Sequence, residues 1–154
     1  MFDHILHEEI VESIDSIELV TDFGGKFISD NSVYLGGFDK NRQELLLIED
    51  LLISGVGASK QSAEYGAYIM RELRIFDTLK VHQSTNITTK DFKDIRYGGF
   101  LTVSQSGAGD SLMDAMTLAH QNHLTCFNIV NVEDSPITQH LDKLIKMEEE
   151  EARE

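Results

Sequence analysis

Gly99-Phe100-Leu101-Thr102-Val103-Ser104-Gln105-Ser106-Gly107-Ala108-Gly109 is the stretch that decides the fold. Its first half is an apolar run bounded by glycine, which reads as a buried strand. Its second half is a glycine-rich turn. Behind the turn, Ser111 to Asn122 carries Leu112, Ala115, Met116 and Ala119 at helical spacing. Strand, tight turn and amphipathic helix together make half of a βαβ unit.

The same succession recurs upstream. Leu51 to Ser54 reads as a strand, Gly55-Val56-Gly57-Ala58-Ser59 as its turn, and Ala58 to Leu73 as a helix with Ala63, Ala67, Met70 and Leu73 inward. Thr78 to His82 and Thr125 to Val130 supply two more strands, and Thr88 to Arg96 a short helix. Pro136 stands in the first turn of a last helix, with Ser135 as its cap. Strands alternating with helices at this spacing imply right-handed crossovers and a parallel sheet. The expectation is an α/β fold, a three-layer α-β-α sandwich with a parallel sheet of four to five strands.

Outside this region the pattern is different. Phe2, Ile5, Leu6, Ile10 and Ile14 recur every three to four residues, as in a helix. Asp22 to Asn31 is turn-rich, and Gly36-Gly37 is a second break. The expected organisation is an N-terminal helix and lead-in over 1–44 packing on a domain over 45–147, then an acidic tail over 148–154. The 154 residues are enough for one core that buries roughly 70% of the unfolded surface.

Charge and cysteine content exclude several classes. The 27 Asp and Glu against 13 Lys and Arg give a net charge of −14. Such a surface repels nucleic-acid backbones and anionic lipid, so neither is expected as a partner. The single cysteine, Cys126, excludes an internal disulfide and a Cys-based metal cluster. Met1-Phe2-Asp3-His4 lacks the basic start of an export signal, and the longest apolar run is only Leu45 to Ile48. A soluble, cytoplasmic protein is expected. His120 and His123 have no acidic pair at a matching offset, and His4 and His7 share one face of the first helix; no metal site is assigned to either pair.

Ligands of open parallel sheets bind beyond the carboxyl ends of the strands. Two strand ends here combine hydroxyls, permissive glycines and a following helix whose first N–H groups favour an anion. Ser59, Ser104 and Ser106 can donate to phosphate oxygens, Gln105 can donate its amide, and Gly107 lets the backbone close around the ligand. Lys60 is the only cation in either turn. That suits a phosphate monoester on a small molecule better than a nucleoside triphosphate, whose phosphate-loop motif is absent. The spacing alone is met equally by two tight turns whose serines cap the helices.

Val103-Ser104-Gln105-Ser106-Gly107, the Gly57-Ala58-Ser59 turn and Asn131-Val132 resemble the sugar-isomerase (SIS) domain family. The likeness is greatest to the first SIS domain of the glutamine:fructose-6-phosphate aminotransferases, and the lead-in Val33-Tyr34-Leu35-Gly36-Gly37-Phe38 shares it. It spans about Phe2 to Asp142 and implies a flavodoxin-like sandwich binding a sugar phosphate, fructose 6-phosphate or glucosamine 6-phosphate. Carried over by position, Ser59, Ser104, Gln105, Ser106 and Gly107 would hold the phosphate. Val56 and Ala58 replace the family's Cys and Thr, Ala108 and Gly109 replace Glu and Thr, and Asp134 puts a carboxylate where Gly is usual. The resemblance implies a homodimer or pairing with a second SIS-containing chain. It also leads to the expectation of a truncated relative, without the glutaminase half, the second SIS domain or the catalytic tail. No catalytic residue and no cofactor are therefore assigned. A non-catalytic interaction protein and one half of a split isomerase or aminotransferase are the competing expectations.

Overall fold

The computed structural model describes residues 2–19, 25–27, 33–35, 42–132, 134–140 and 143–146. The chain divides into two units, residues 1–40 with 147–154 and residues 41–146. In the first, helix α1 spans Phe2–Leu19 and strands β1 (Gly25–Phe27) and β2 (Val33–Leu35) pair antiparallel. This small hairpin replaces part of the expected connector over 22–31. Strands of three residues leave too little alternation to read. The tail over 148–154 lies outside the described residues.

The second unit is built on one sheet. Its strands are β3 (Asp50–Gly55), β4 (Thr78–Gln83), β5 (Gly98–Ser104), β6 (Thr125–Val130) and β7 (Lys143–Lys146). They lie in the order β4-β3-β5-β6-β7, all parallel. A single helical turn, α2 (Arg42–Leu45), precedes β3. The main helices are α3 (Ala58–Glu72) and α4 (Asp110–Gln121). The expected three-layer parallel architecture is the observed one, with five strands.

Each sheet face has its own core. Leu52, Phe100 and Cys126 meet Leu112, Ala115, Met116 and Ala119 of α4. Leu51, Ile53 and Phe127 meet Ala63 and Ala67 of α3 on the other face. Complete burial of a side chain the size of Phe100 contributes about 1.5–3 kcal/mol. The rings of Phe92 and Phe100 add an edge-to-face contact, with centroids 6.0 Å apart. Strands buried on both faces explain why the sequence runs were apolar rather than alternating.

Four local expectations need correction. Leu73 is 67% exposed rather than inward, because α3 ends at Glu72 and the chain turns away. The expected helix over 88–96 is only a 3-10 turn at Thr89–Phe92, closed by Asp91, which accepts from the Thr88 amide and hydroxyl. The last helix is a 3-10 segment, Pro136–His140, followed by the parallel strand β7. Ser135 does not cap that segment with its side chain. Its carbonyl accepts from the Thr138 amide and hydroxyl instead.

Candidate functional site

The sheet order fixes where a ligand can enter. The chain leaves β3 through α3 to β4 on one side, then crosses to β5 on the other side of β3. The helices α3 and α4 therefore diverge onto opposite faces, and the ligand crevice of an open sheet lies at such a point, here beyond the carboxyl ends of β3 and β5. The turns 55–59 and 104–109 are the two walls of that crevice. The register pairs Gly55 with Val103, so the turns begin side by side. The sequence thus selected the two turns that flank the sheet's point of reversal.

The first wall is held by backbone alone. Gly57 has φ +58° and ψ −129°, a conformation that no L side chain tolerates well, and a Cβ there would meet nothing within 4 Å. It stands at the head of α3, where its carbonyl accepts from the Lys60 and Gln61 amides. No side chain caps the helix. Ser59 lies half-buried in the first turn of α3. Lys60 is ion-paired along the helix with Glu64.

The second wall is tied at several points. Ser104 Oγ accepts from the Gly107 amide at 3.0 Å, so this hydroxyl shapes its own turn. The Gln105 carbonyl accepts from the Asn131 amide, and the Gly107 carbonyl from the Ile137 amide. Gly107 is buried with φ +60°. A Cβ there would fall 2.4 Å from Ser135 Oγ and 2.9 Å from Ile137 Cγ2. Gln105 and Ser106 are exposed at the tip. Gly109 heads α4 and, again, no side chain caps it.

Serine caps therefore do not account for these turns. Ser59 and Ser106 are not the N-caps, and Ser104 bonds within its turn rather than to a helix end. Both helix N-termini keep amide donors without a side-chain acceptor, which is the electrostatic character an anion seeks. All five residues named from the sequence lie on the two walls. They divide into a turn-former (Ser104), a close-packed pivot (Gly107) and three that are at least partly exposed (Ser59, Gln105, Ser106).

Two further features were not read from the sequence. A buried polar row crosses the sheet beneath the crevice: Ser54 pairs in register with Thr102, and Thr102 with Asn128. Ser54 shares a hydrogen bond of 2.8 Å with Ser84, Thr102 donates to the Asn128 side-chain oxygen, and Asn128 donates to the Ile137 carbonyl. These bonds fasten the segments after β4 and β6 to the strands, and satisfied groups of this kind rigidify a core. The legible signal was a polar residue one or two positions before the end of each of three strands.

The second feature is a third wall after β6. Asn131 Oδ1 and Ser135 Oγ are buried and have no hydrogen-bond partner among the described residues. Leaving such a group unpaired costs about 1–3 kcal/mol. Asp134 is exposed on the same loop. Among the described residues, no three His, Cys, Asp or Glu side chains are grouped to hold a metal. No described helix is long and apolar enough to cross a membrane.

Comparison with known proteins agrees with this geometry. No family model matches the chain. Over 145 residues, 94% of its length, it is 27% identical to a protein of Acanthamoeba polyphaga mimivirus named as a probable glutamine–fructose-6-phosphate aminotransferase [isomerizing]. The chain spans 23% of that relative's length. Among solved structures it superposes on the Vibrio vulnificus NanR protein complexed with ManNAc-6P, with TM-score 0.66 and 20% identity, covering 88% of this chain and 49% of that one. It also superposes on the sugar isomerase domain of an RpiR transcription factor from Sphaerobacter thermophilus, with TM-score 0.66 and 13% identity, covering 90% and 74%.

Proposed function

We propose that this chain, which has the fold of the sugar-isomerase domain, binds a phosphorylated sugar in the crevice between β3 and β5. Fructose 6-phosphate and glucosamine 6-phosphate are the first ligands to offer, given the name of the mimivirus relative. The ManNAc-6P held by NanR supports the same ligand class. The observation that carries the reading is the pairing of two hydroxyl-bearing turns at the sheet's point of reversal, each opening a helix that no side chain caps. The phosphate takes the first amides of α3 and α4, the Ser59 and Ser106 hydroxyls and the Gln105 amide. Ser104 and Gly107 hold the turn in shape. The sugar faces the third wall, the loop after β6 that carries Asn131 and Asp134.

Binding is the whole of the assigned role. A proton-transfer catalyst must lie within about 3 Å of its proton, and the two turns offer only hydroxyls and amides. Neither a cofactor nor a metal enters the reading. A cytoplasmic setting suits a phosphorylated metabolite and a single cysteine.

One further observation favours a partner chain, either a second copy or another domain of this fold. Tyr65, Tyr68, Ile69 and Leu73 make an exposed stripe along α3, with Tyr65 70% and Leu73 67% exposed. Exposed apolar patches of this kind mark interaction surfaces.

Calorimetry tests the binding site. Fructose 6-phosphate and glucosamine 6-phosphate should give saturable heat with the full chain, and unphosphorylated fructose none. Ser106→Ala should weaken binding without lowering the melting temperature. Absence of heat at millimolar ligand from a folded sample would reject the site.

A further inference from the structure

The turn 104–109 is held from beneath by a side chain that has no exposed surface. Asn128 stands in β6 directly beside Thr102 of β5, and both are completely buried. Two positions away on the same strand, Cys126 and Val130 share the face of Asn128 and belong to the apolar core against α4. An amide in such a place is costly unless its polar atoms are satisfied, and an apolar side chain of like size carries no such cost.

The Asn128 amide is satisfied, and in one orientation. The Ile137 carbonyl can only accept, so it takes the Nδ2 donor, at 3.4 Å. Oδ1 is thereby turned to Thr102, whose hydroxyl donates to it. Ile137, itself completely buried, meets the turn through its other polar atom: its amide donates to the Gly107 carbonyl at 3.0 Å. Its Cγ2 also lies where a Cβ on Gly107 would come within 2.9 Å.

Hydrogen bonds thus run from Thr102 to Asn128, from Asn128 to Ile137 and from Ile137 to Gly107. The path leaves β5 two residues before Ser104 and returns to the pivot of the turn, closing a ring with the chain between Thr102 and Gly107. A closed ring fixes the distance between the strand end and the pivot. We infer that Asn128 is a positioning residue for the phosphate turn: acting through Ile137, it sets the place of Gly107 and with it the aim of the neighbouring amides. The inference rests on the phosphate-binding reading and adds to it a residue that lies in none of the three walls.

Thr102→Val combined with Asn128→Leu removes both side-chain partners at similar volume, which spares most of the stability. By calorimetry on the full chain, the double variant should keep a cooperative melt and lose about tenfold in affinity for fructose 6-phosphate. In the ligand-free ¹⁵N-labelled variant, the Ile137 amide should exchange with solvent about tenfold faster, a larger change than at any amide of α3. Thr102→Ser, which keeps the hydroxyl, should bind within about twofold of the unaltered chain. Leu124→Val loosens the same core at the far end of β6 and should also leave the affinity unchanged. An unaltered chain that gives no heat with fructose 6-phosphate would reject the phosphate reading, and this inference with it. Binding by the unaltered chain and equal binding by the double variant would overturn the positioning role alone. So would an equal loss in Leu124→Val, since general loosening of the core would then be the cause. Should the double variant fail to fold, Thr102→Val by itself decides: a loss of about threefold is expected, and an unchanged affinity overturns the proposal.

Discussion

The two walls of the crevice are made of the same residue types and are held in opposite ways. Turn 55–59 has backbone bonds within its own helix start and open space beside Gly57. Turn 104–109 is bonded to itself through Ser104, to Asn131 and Ile137 through carbonyls, and is packed against Ser135. One wall can adjust and the other is preformed. A preformed wall lowers the ordering cost of binding, and an adjustable one lets the crevice close around ligands of different size. Equal composition therefore does not mean equal role, and substitutions should separate the two.

The largest effect is expected at Gly107. Gly107→Ala combines a left-handed backbone with a Cβ driven onto Ser135, and should cost about 3 kcal/mol, read as a fall in melting temperature of about 6–12 °C. Adding Ser135→Gly removes both Ser135 contacts and should return part of that loss. No recovery in the double variant would mean that the contact is not what constrains the wall.

Gly57→Ala should cost less, about 1–2 kcal/mol, because only backbone strain opposes it. No second substitution nearby should rescue it. Serines sharpen the contrast further. Ser104→Ala should weaken sugar-phosphate binding and also lower stability by about 1 kcal/mol, since the Gly107 amide loses its acceptor. Ser59→Ala should weaken binding about tenfold and leave stability unchanged. If thermal melts show both serines equally costly, the two walls are held alike.

The smallest effect lies outside both walls, which contain no carboxylate. Partial burial pushes the Asp91 carboxyl up, but hydrogen bonds from the Thr88 amide and hydroxyl, with His82 and Lys80 nearby, outweigh it and hold it below its usual 3.8. A carboxyl whose folded value is lowered contributes stability above its unfolded value and loses it as pH falls through the folded one. Asp91→Asn should therefore reduce stability at neutral pH by about 1 kcal/mol and flatten the decline below about pH 4. Denaturation midpoints measured between pH 2 and 7 check this, roughly across the carboxylate range.

Much of this architecture could be read from residue order. Buried strands such as Leu51–Ser54 and Thr125–Val130 are apolar on both faces, and α4 presents Leu112, Ala115, Met116 and Ala119 at the spacing that packs them. Strand β7 escaped notice because Lys143-Leu144-Ile145-Lys146 is four residues long and runs on into an acidic segment that suggested a helix. The hairpin of β1 and β2 was hidden by its glycines and its brevity. The positions of the candidate residues followed from strand ends, but their division of labour did not. Residue type does not say that Ser104 turns inward to Gly107 while Ser106 stays exposed, nor that Ser135 packs on a glycine instead of capping a helix. The second outcome depends on a contact across 28 positions of sequence, between Gly107 and Ser135.

The central claim, that two unlike walls hold one phosphate, is tested most directly by amide shift mapping of the ¹⁵N-labelled chain with fructose 6-phosphate. The account predicts that amides of 57–60 and 105–108 move together with one dissociation constant, and that fructose alone moves neither set. Shifts confined to one wall, or following two different constants, would contradict it.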